Sequence, residues 1–318
     1  MTSLLFVLAG FLLLLAGGEA LVRGSVAIAS KMGVSKLVIG LTLVGFGTSA
    51  PELVTSIQAA LSGSPGIAIG NVVGSNIANI LLIIGVSAML FPMVCPREAV
   101  QRDGIIMGIA TILLALACFN GEISRVIGAI FVVLLFCYLA MTFYIERRGK
   151  GKAGEMLEHE AEARPTPFAS TPVNLLITCG GMGLLVLGAN MLVRGATEMA
   201  QGLGVSDTII GLTVVAVGTS LPELATSVMA AIKKQSDVAL GNVIGSNIFN
   251  ILFILGSTAL IKPIAVPEEI LNFDLWVVIG ATLALLVFAY SGKKISRVEG
   301  GVLLGAYAAY IGAIAIMS

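Results

Sequence analysis

The sequence predicts an all-α, polytopic membrane protein of ten transmembrane helices, arranged as two inverted five-helix repeats. Three observations carry this reading. Of 318 residues, 57% are hydrophobic and 11% charged, with a mean hydropathy of +1.03, whereas soluble domains carry about 25% charged residues. Apolar runs recur from end to end, each with the roughly 17–25 residues that cross a hydrocarbon core about 30 Å thick. Residues 21–81 also align with 192–252 without a gap, at a constant offset of 171.

Taken in order, the spans fall at 3–22, 35–61, 67–91, 103–120, 124–144, 173–192, 206–231, 236–260, 272–291 and 299–317. The first apolar run competes with a signal peptide, but it lacks a basic leading region. The stretch before Leu21, Val22, Arg23 and Gly24 also recurs before Leu192, Val193, Arg194 and Gly195, which marks it as a retained helix. Spans two and seven align as V-G-F-G-T-S-A-P-E-L on V-A-V-G-T-S-L-P-E-L, and spans three and eight as G-N-V-V-G-S-N-I-A-N-I-L on G-N-V-I-G-S-N-I-F-N-I-L. Five spans per copy is an odd number, so the second copy enters from the opposite face, a common transporter plan. The organisation expected is a first repeat over 1–145, a cytoplasmic linker over 146–171 and a second repeat over 172–318.

Basic residues test this count, because cytoplasmic loops are enriched in Lys and Arg. Ten spans place fifteen of the eighteen, from Arg23 to Arg297, on one set of loops and only Arg125, Arg194 and Lys262 on the other. Both termini are therefore expected outside the cytoplasm. The linker is the one long polar stretch. Its Glu155, Glu158, Glu160 and Glu162 beside His159 read as a solvated acidic segment, with a regulatory metal site as the alternative.

Several classes are excluded or disfavoured. Net charge is zero and the basic residues form no stripe, so nucleic acid has no footprint. Cys95, Cys118, Cys137 and Cys179 show no C-x-x-C spacing and read as small buried hydrophobes. The sole histidine is His159 in the linker and no nucleophile–base pair is evident, which argues against an enzyme. A channel would need a continuous polar pore, whereas the polar residues cluster at mid-depth.

A carboxylate near the bilayer centre costs at least about 2.5–3.5 kcal/mol, so one placed there usually lines a cavity or binds something. Only Glu52 and Glu223 are expected deep in a span, and they are equivalent under the repeat. Pro51 and Pro222 precede them and break the helix; Gly45, Gly47 and Gly218 ease that distortion. Freed carbonyls around Thr48 and Thr219 then need partners inside the membrane. Thr48, Ser49 and Glu52, like Thr219, Ser220 and Glu223, thus gather hydroxyls, carbonyls and a carboxylate in one turn. Such hard oxygens suit Ca²⁺, which takes six to eight at about 2.3–2.6 Å. In the next spans, Ser75 and Asn79 share a helix face, as do Ser246 and Asn250. Gly70, Gly74, Gly241 and Gly245 are expected to allow close helix approach, and Asn71 and Asn242 to act as helix caps. Two Pro-kinked helices with protonated or base-paired glutamates form the bland alternative, but no Lys, Arg or His is expected in a span near them.

These duplicated motifs, G-T-S-A-P-E (47–52) and G-T-S-L-P-E (218–223), each followed by G-N-V-x-G-S-N-I-x-N-I, resemble the two alpha repeats of the sodium/calcium exchanger family, closest to its compact prokaryotic members. The resemblance implies an antiporter of the prokaryotic inner (plasma) membrane that exchanges Na⁺ for Ca²⁺, with no cofactor, no obligatory protein partner and the lipid bilayer as its surroundings. It implies that Glu52, Glu223 and the Thr48 and Thr219 carbonyls ligate Ca²⁺. Flanking Na⁺ sites would use the Gly45 carbonyl with Thr48, Ser49 and Ser75, and the Ala216 carbonyl with Thr219, Ser220 and Ser246. Asn79 and Asn250 would complete the centre. Potassium-dependent relatives often carry Asp where this chain has Asn250, so K⁺-independent exchange is the expectation, electrogenic if more than two Na⁺ exchange for each Ca²⁺. Ca²⁺/H⁺ antiport is the alternative, since two neighbouring carboxylates can also carry a proton.

Overall fold

The structure is a computed structural model that describes residues 2–32, 35–95, 100–148, 171–202, 216–292 and 294–317. Most of the linker expected at 146–171, and the first part of the span expected at 206–231, lie outside these residues. The described helices are α1 (Thr2–Met32), α2 (Lys36–Thr48), α3 (Ala50–Leu61), α4 (Pro65–Leu90), α5 (Val100–Phe119), α6 (Arg125–Arg148), α7 (Thr171–Gly202), α8 (Ala216–Thr219), α9 (Leu221–Ile232), α10 (Ser236–Ile261), α11 (Ile270–Ser291) and α12 (Arg297–Met317). Among the described residues, eight helices are long and apolar enough to cross a membrane, or nine if the bent pair of α2 and α3 counts as one span. The chain is an integral, all-helical membrane protein. To this the structure adds four two-residue strands, β1 (Met93–Val94), β2 (Glu122–Ile123), β3 (Ile264–Ala265) and β4 (Lys294–Ile295).

The core sits around α4 and α10, whose most apolar windows are 72% and 94% buried, while α12 is only 11% buried and faces outward. Each of the two core helices carries a π-helical stretch, Ala78–Ile84 and Phe249–Leu255, at matching positions. Such wider turns are rare and concentrate at functional sites. The turns entering these helices match as well: Gly63 has φ 83° and its counterpart Lys234 has φ 58°.

The long helices α1 and α7 run past their expected spans, and each carries an ion pair one turn apart, Glu19–Arg23 and Arg194–Glu198. They meet along a glycine seam. Gly10, Gly17 and Gly24 on α1 match Gly181, Gly188 and Gly195 on α7 under the repeat offset. A Cβ placed at Gly10 would lie 2.6 Å from the Gly188 carbonyl oxygen, and one at Gly181 would lie 2.7 Å from the Leu21 nitrogen. Only glycine lets the two backbones come this close.

The strands tie the two sequence repeats to each other. Met93 and Val94 pair with Ile295 and Lys294, while their counterparts Ile264 and Ala265 pair with Ile123 and Glu122. The register is thus reciprocal. Deeper in the bundle, the hydroxyls of Thr111 and Thr282, themselves repeat counterparts, lie 3.4 Å apart.

The close-approach role expected of four glycines holds for two of them. A Cβ at Gly241 would sit 2.7 Å from the Leu37 carbonyl oxygen, and Gly245 abuts Leu41. Gly70 and Gly74 have nothing within 4 Å among the described residues; their counterpart neighbours fall in 203–215.

Candidate functional site

The site begins with two bent segments. Pro51 and Pro222 sit in the first turn of α3 and α9, where a missing N–H costs nothing. Ser49 and Ser220 interrupt the preceding helices with nearly identical dihedrals, φ −84°, ψ 6° and φ −87°, ψ 6°. The α2–α3 crossing bends by 44° there. The expected break is therefore a change of direction that restarts the helix at once, carrying Glu52 and Glu223 in its first turn.

Both glutamates are 1% exposed. Ser49 Oγ of the first half donates to Glu223 Oε1 of the second at 3.0 Å, so the bends meet across the repeat boundary. Thr48 Oγ1 lies 3.1 Å from the Val44 carbonyl, 3.3 Å from the Gly45 carbonyl and 3.2 Å from Asn242 Oδ1. Asn79, in the π stretch of α4, donates through Nδ2 to Asn247 Oδ1 at 3.2 Å. Asn250 lies in the matching π stretch of α10. Gly45 backs onto α10, with its Cβ position 3.2 Å from the Ser246 nitrogen.

Thr48, Ser49, Ser75, Asn79, Ser220, Ser246 and Asn250 are all buried with the two carboxylates. Thr219 is half-buried and Ala216 opens α8. Among the described residues, seven side-chain oxygens in this set are buried without a hydrogen-bond partner: both of Glu52, Glu223 Oε2, Asn79 Oδ1, Asn250 Oδ1, Ser220 Oγ and Ser246 Oγ. Leaving one buried acceptor unsatisfied costs about 1–3 kcal/mol, more if charged. A cation among them would answer that cost, and their chemistry is that of hard-cation ligands. Among the described residues no group of three His, Cys, Asp or Glu could hold a metal ion, so any ligand set here mixes two carboxylates with neutral oxygens.

Two sequence expectations need correction. Asn71 and Asn242 are not caps, because both lie mid-helix, in Pro65–Ile77 and Ser236–Ile248. Their amides instead reach across to the glutamate backbones: Asn71 Nδ2 donates to the Glu52 carbonyl (3.2 Å) and Ser56 Oγ (2.9 Å), and Asn242 Nδ2 to the Glu223 carbonyl (3.3 Å) and Ser227 Oγ (2.9 Å). Glu52 and Glu223 are also not the only deeply buried acids. Asp103 is 0% exposed, held by Arg102 at 2.8 and 3.0 Å and by the Tyr138 hydroxyl at 3.0 Å. Its place at the first residue of an expected span, beside an arginine, concealed this burial. The counterpart Asp274 accepts from Tyr310 at 2.8 Å.

A lipid-spanning helical bundle whose two sequence repeats enclose a knot of buried oxygens has the form of a membrane transport protein. The family model described as "Sodium/calcium exchanger protein" matches residues 2–144 and 173–315, and the chain belongs to that family. It is a cation/Ca²⁺ exchanger. The chain is 39% identical to a protein named putative antiporter CaxA from Alkalimonas amylolytica over 314 residues, covering 98% of each. It is likewise 39% identical to the sodium/calcium exchanger MaX1 of Methanosarcina acetivorans over 343 residues, covering 97% of each. A solved structure of the sodium-calcium exchanger NCX_Mj, soaked with Na⁺ and Ca²⁺, superposes with a TM-score of 0.84 at 33% identity over 98% of both chains.

Proposed function

We propose that this chain exchanges Na⁺ for Ca²⁺ by alternating access, with Glu52 and Glu223 shared between the competing ions. The observation that carries the reading is the set of seven unpartnered oxygens, which joins two carboxylates to neutral hydroxyl and amide oxygens in one buried centre. Two carboxylates offset one divalent ion. In this reading Ca²⁺ is held by the glutamates with the Thr48 and Thr219 carbonyls. Na⁺ is held beside them by the Gly45 carbonyl with Thr48, Ser49 and Ser75, and by the Ala216 carbonyl with Thr219, Ser220 and Ser246, while Asn79 and Asn250 close the centre. Neutral Asn250 favours K⁺-independent exchange. More than two Na⁺ per Ca²⁺ would make transport electrogenic.

The chain is read as two inverted halves, 1–145 and 172–318, joined by the linker 146–171, with ten crossings and both termini outside the cytoplasm of a prokaryotic inner membrane. Strand pairing supports this parity. Paired strands share a membrane face, and the ten-span count puts six crossings between β1 and β4 and four between β2 and β3, both even. Access switches when α1 and α7, locked together by their glycine seam, slide over the remaining bundle.

The test is ⁴⁵Ca²⁺ uptake into proteoliposomes loaded with Na⁺, with pH and K⁺ gradients imposed separately, for wild type, Glu52→Gln and Glu223→Gln. Uptake that requires internal Na⁺, ignores K⁺ and vanishes in both variants is the expected result. Uptake that follows the pH gradient and ignores Na⁺ would assign the counter-ion to H⁺.

A further inference from the structure

The ligands of one half are wired to the backbone of the other through a residue that is itself no part of the proposed cation shell. Asn242 is 0% exposed and lies within the first, α-helical part of α10, Ser236–Ile248. Its amide nitrogen donates to the Glu223 carbonyl at 3.3 Å and to Ser227 Oγ at 2.9 Å. Its amide oxygen accepts from Thr48 Oγ1 at 3.2 Å, across the boundary between the halves. A side-chain amide carries two donors and an acceptor; here both donors go to α9 and the acceptor to the Thr48 turn.

We infer that Asn242 is a positioning residue for Ca²⁺ binding, which sets the Thr48 turn of the first half in register with the Glu223 turn of the second. The physical need is clear from the bends. The carbonyls near Thr48 are useful as ligands only if they point at one spot, and the ladder there is thinned: Ser49 N–H bonds the Gly45 carbonyl and Leu53 N–H the Ser49 carbonyl, while Pro51 has no N–H to offer. Asn242 supplies the aim by holding the hydroxyl of the same residue. Ser49, bonded to Glu223 Oε1 at 3.0 Å, makes a parallel connection one residue on. Low local dielectric strengthens such buried networks, and removal of one member misplaces the others.

The inference rests on Ca²⁺ binding between the two glutamates, and a double-mutant cycle separates the two ideas. Equilibrium ⁴⁵Ca²⁺ binding is measured on the purified full chain in nanodiscs without Na⁺, for wild type, Thr48→Val, Asn242→Leu and the pair. Because the Thr48 hydroxyl is not the proposed Ca²⁺ ligand, its loss should act through Asn242. The expectation is about tenfold weaker binding for each single variant, less than a further twofold when they are combined, and near wild-type affinity for Thr48→Ser. Asn242→Asp, nearly isosteric and still an acceptor for Thr48, guards against a misfolded leucine variant: in that background Thr48→Val should again cost about tenfold. Effects that simply multiply, or Asn242 variants that bind Ca²⁺ as wild type does, overturn the inference alone. A wild-type chain that binds no Ca²⁺ overturns the exchanger reading and this inference with it.

Discussion

Replacing Gly188 with alanine should loosen the α1–α7 seam, while the same change at Gly183, five residues earlier on the same helix, should not. A Cβ at Gly188 would lie 2.8 Å from the Gly10 carbonyl oxygen and 2.9 Å from the Leu14 nitrogen, where ordinary contact begins near 3.4 Å. Both obstacles are backbone atoms and cannot swing aside, so the helices must part by about half an ångström. Forcing extra volume into a tight contact costs about 1–3 kcal/mol. Against this stands the helix-propensity gain of about 1 kcal/mol from glycine to alanine. At Gly183 nothing lies within 4 Å among the described residues, so only the gain remains. The two variants should therefore differ by about 2 kcal/mol, or roughly 4 °C in midpoint for a chain of this size. Thermal unfolding of both in the same detergent, followed by circular dichroism, measures it. Equal midpoints would refute the argument that this seam is set by backbone contact.

Three further outcomes are expected. Ser49→Ala removes the hydroxyl bonded to Glu223 Oε1; a hydrogen bond to a charged group is worth about 1.5–3 kcal/mol, so Ca²⁺ affinity measured by ⁴⁵Ca²⁺ binding should fall at least tenfold. Tyr138→Phe leaves buried Asp103 to Arg102 alone and should lower stability by about 1–3 kcal/mol in a denaturation series, without changing the ion dependence of uptake. Lys234→Gly relieves a left-handed backbone at the position where the other half already has Gly63; it should stabilise by about 1 kcal/mol, read as a higher unfolding midpoint with transport intact.

Much of this architecture was legible in the sequence because the repeat imposes one register on everything that matters. Once Pro51-Glu52 aligned with Pro222-Glu223, the paired bends, the buried carboxylates and the neighbouring Ser and Asn faces followed from helix geometry. The π stretches around Asn79 and Asn250 did not follow. Apart from the asparagines, their sequences ANILLII and FNILFIL are unbroken apolar runs, so no change of hydrophobic period marks the wider turn. Asn71 and Asn242 were misread because a capping residue and a cross-helix bracket use the same amide, and only the third dimension tells which backbone it reaches. Asp103 was hidden for a similar reason, since Tyr138 lies 35 residues away. The glycine seam is different: Gly10, Gly17 and Gly24 repeat every seventh residue, as do Gly181, Gly188 and Gly195, and that spacing was there to be found.

The seam also dictates the order of events during synthesis. Gly17 on α1 has its backbone contacts with Gly181 and Leu185, so α1 cannot reach its main partner until the residues through Leu185, more than 160 positions later, have left the ribosome. At roughly 5–20 residues per second, α1 waits on the order of ten seconds or longer in lipid, with its glycine face uncovered. Assembly is then a closing step, in which the late helix α7 arrives and the early one finally docks.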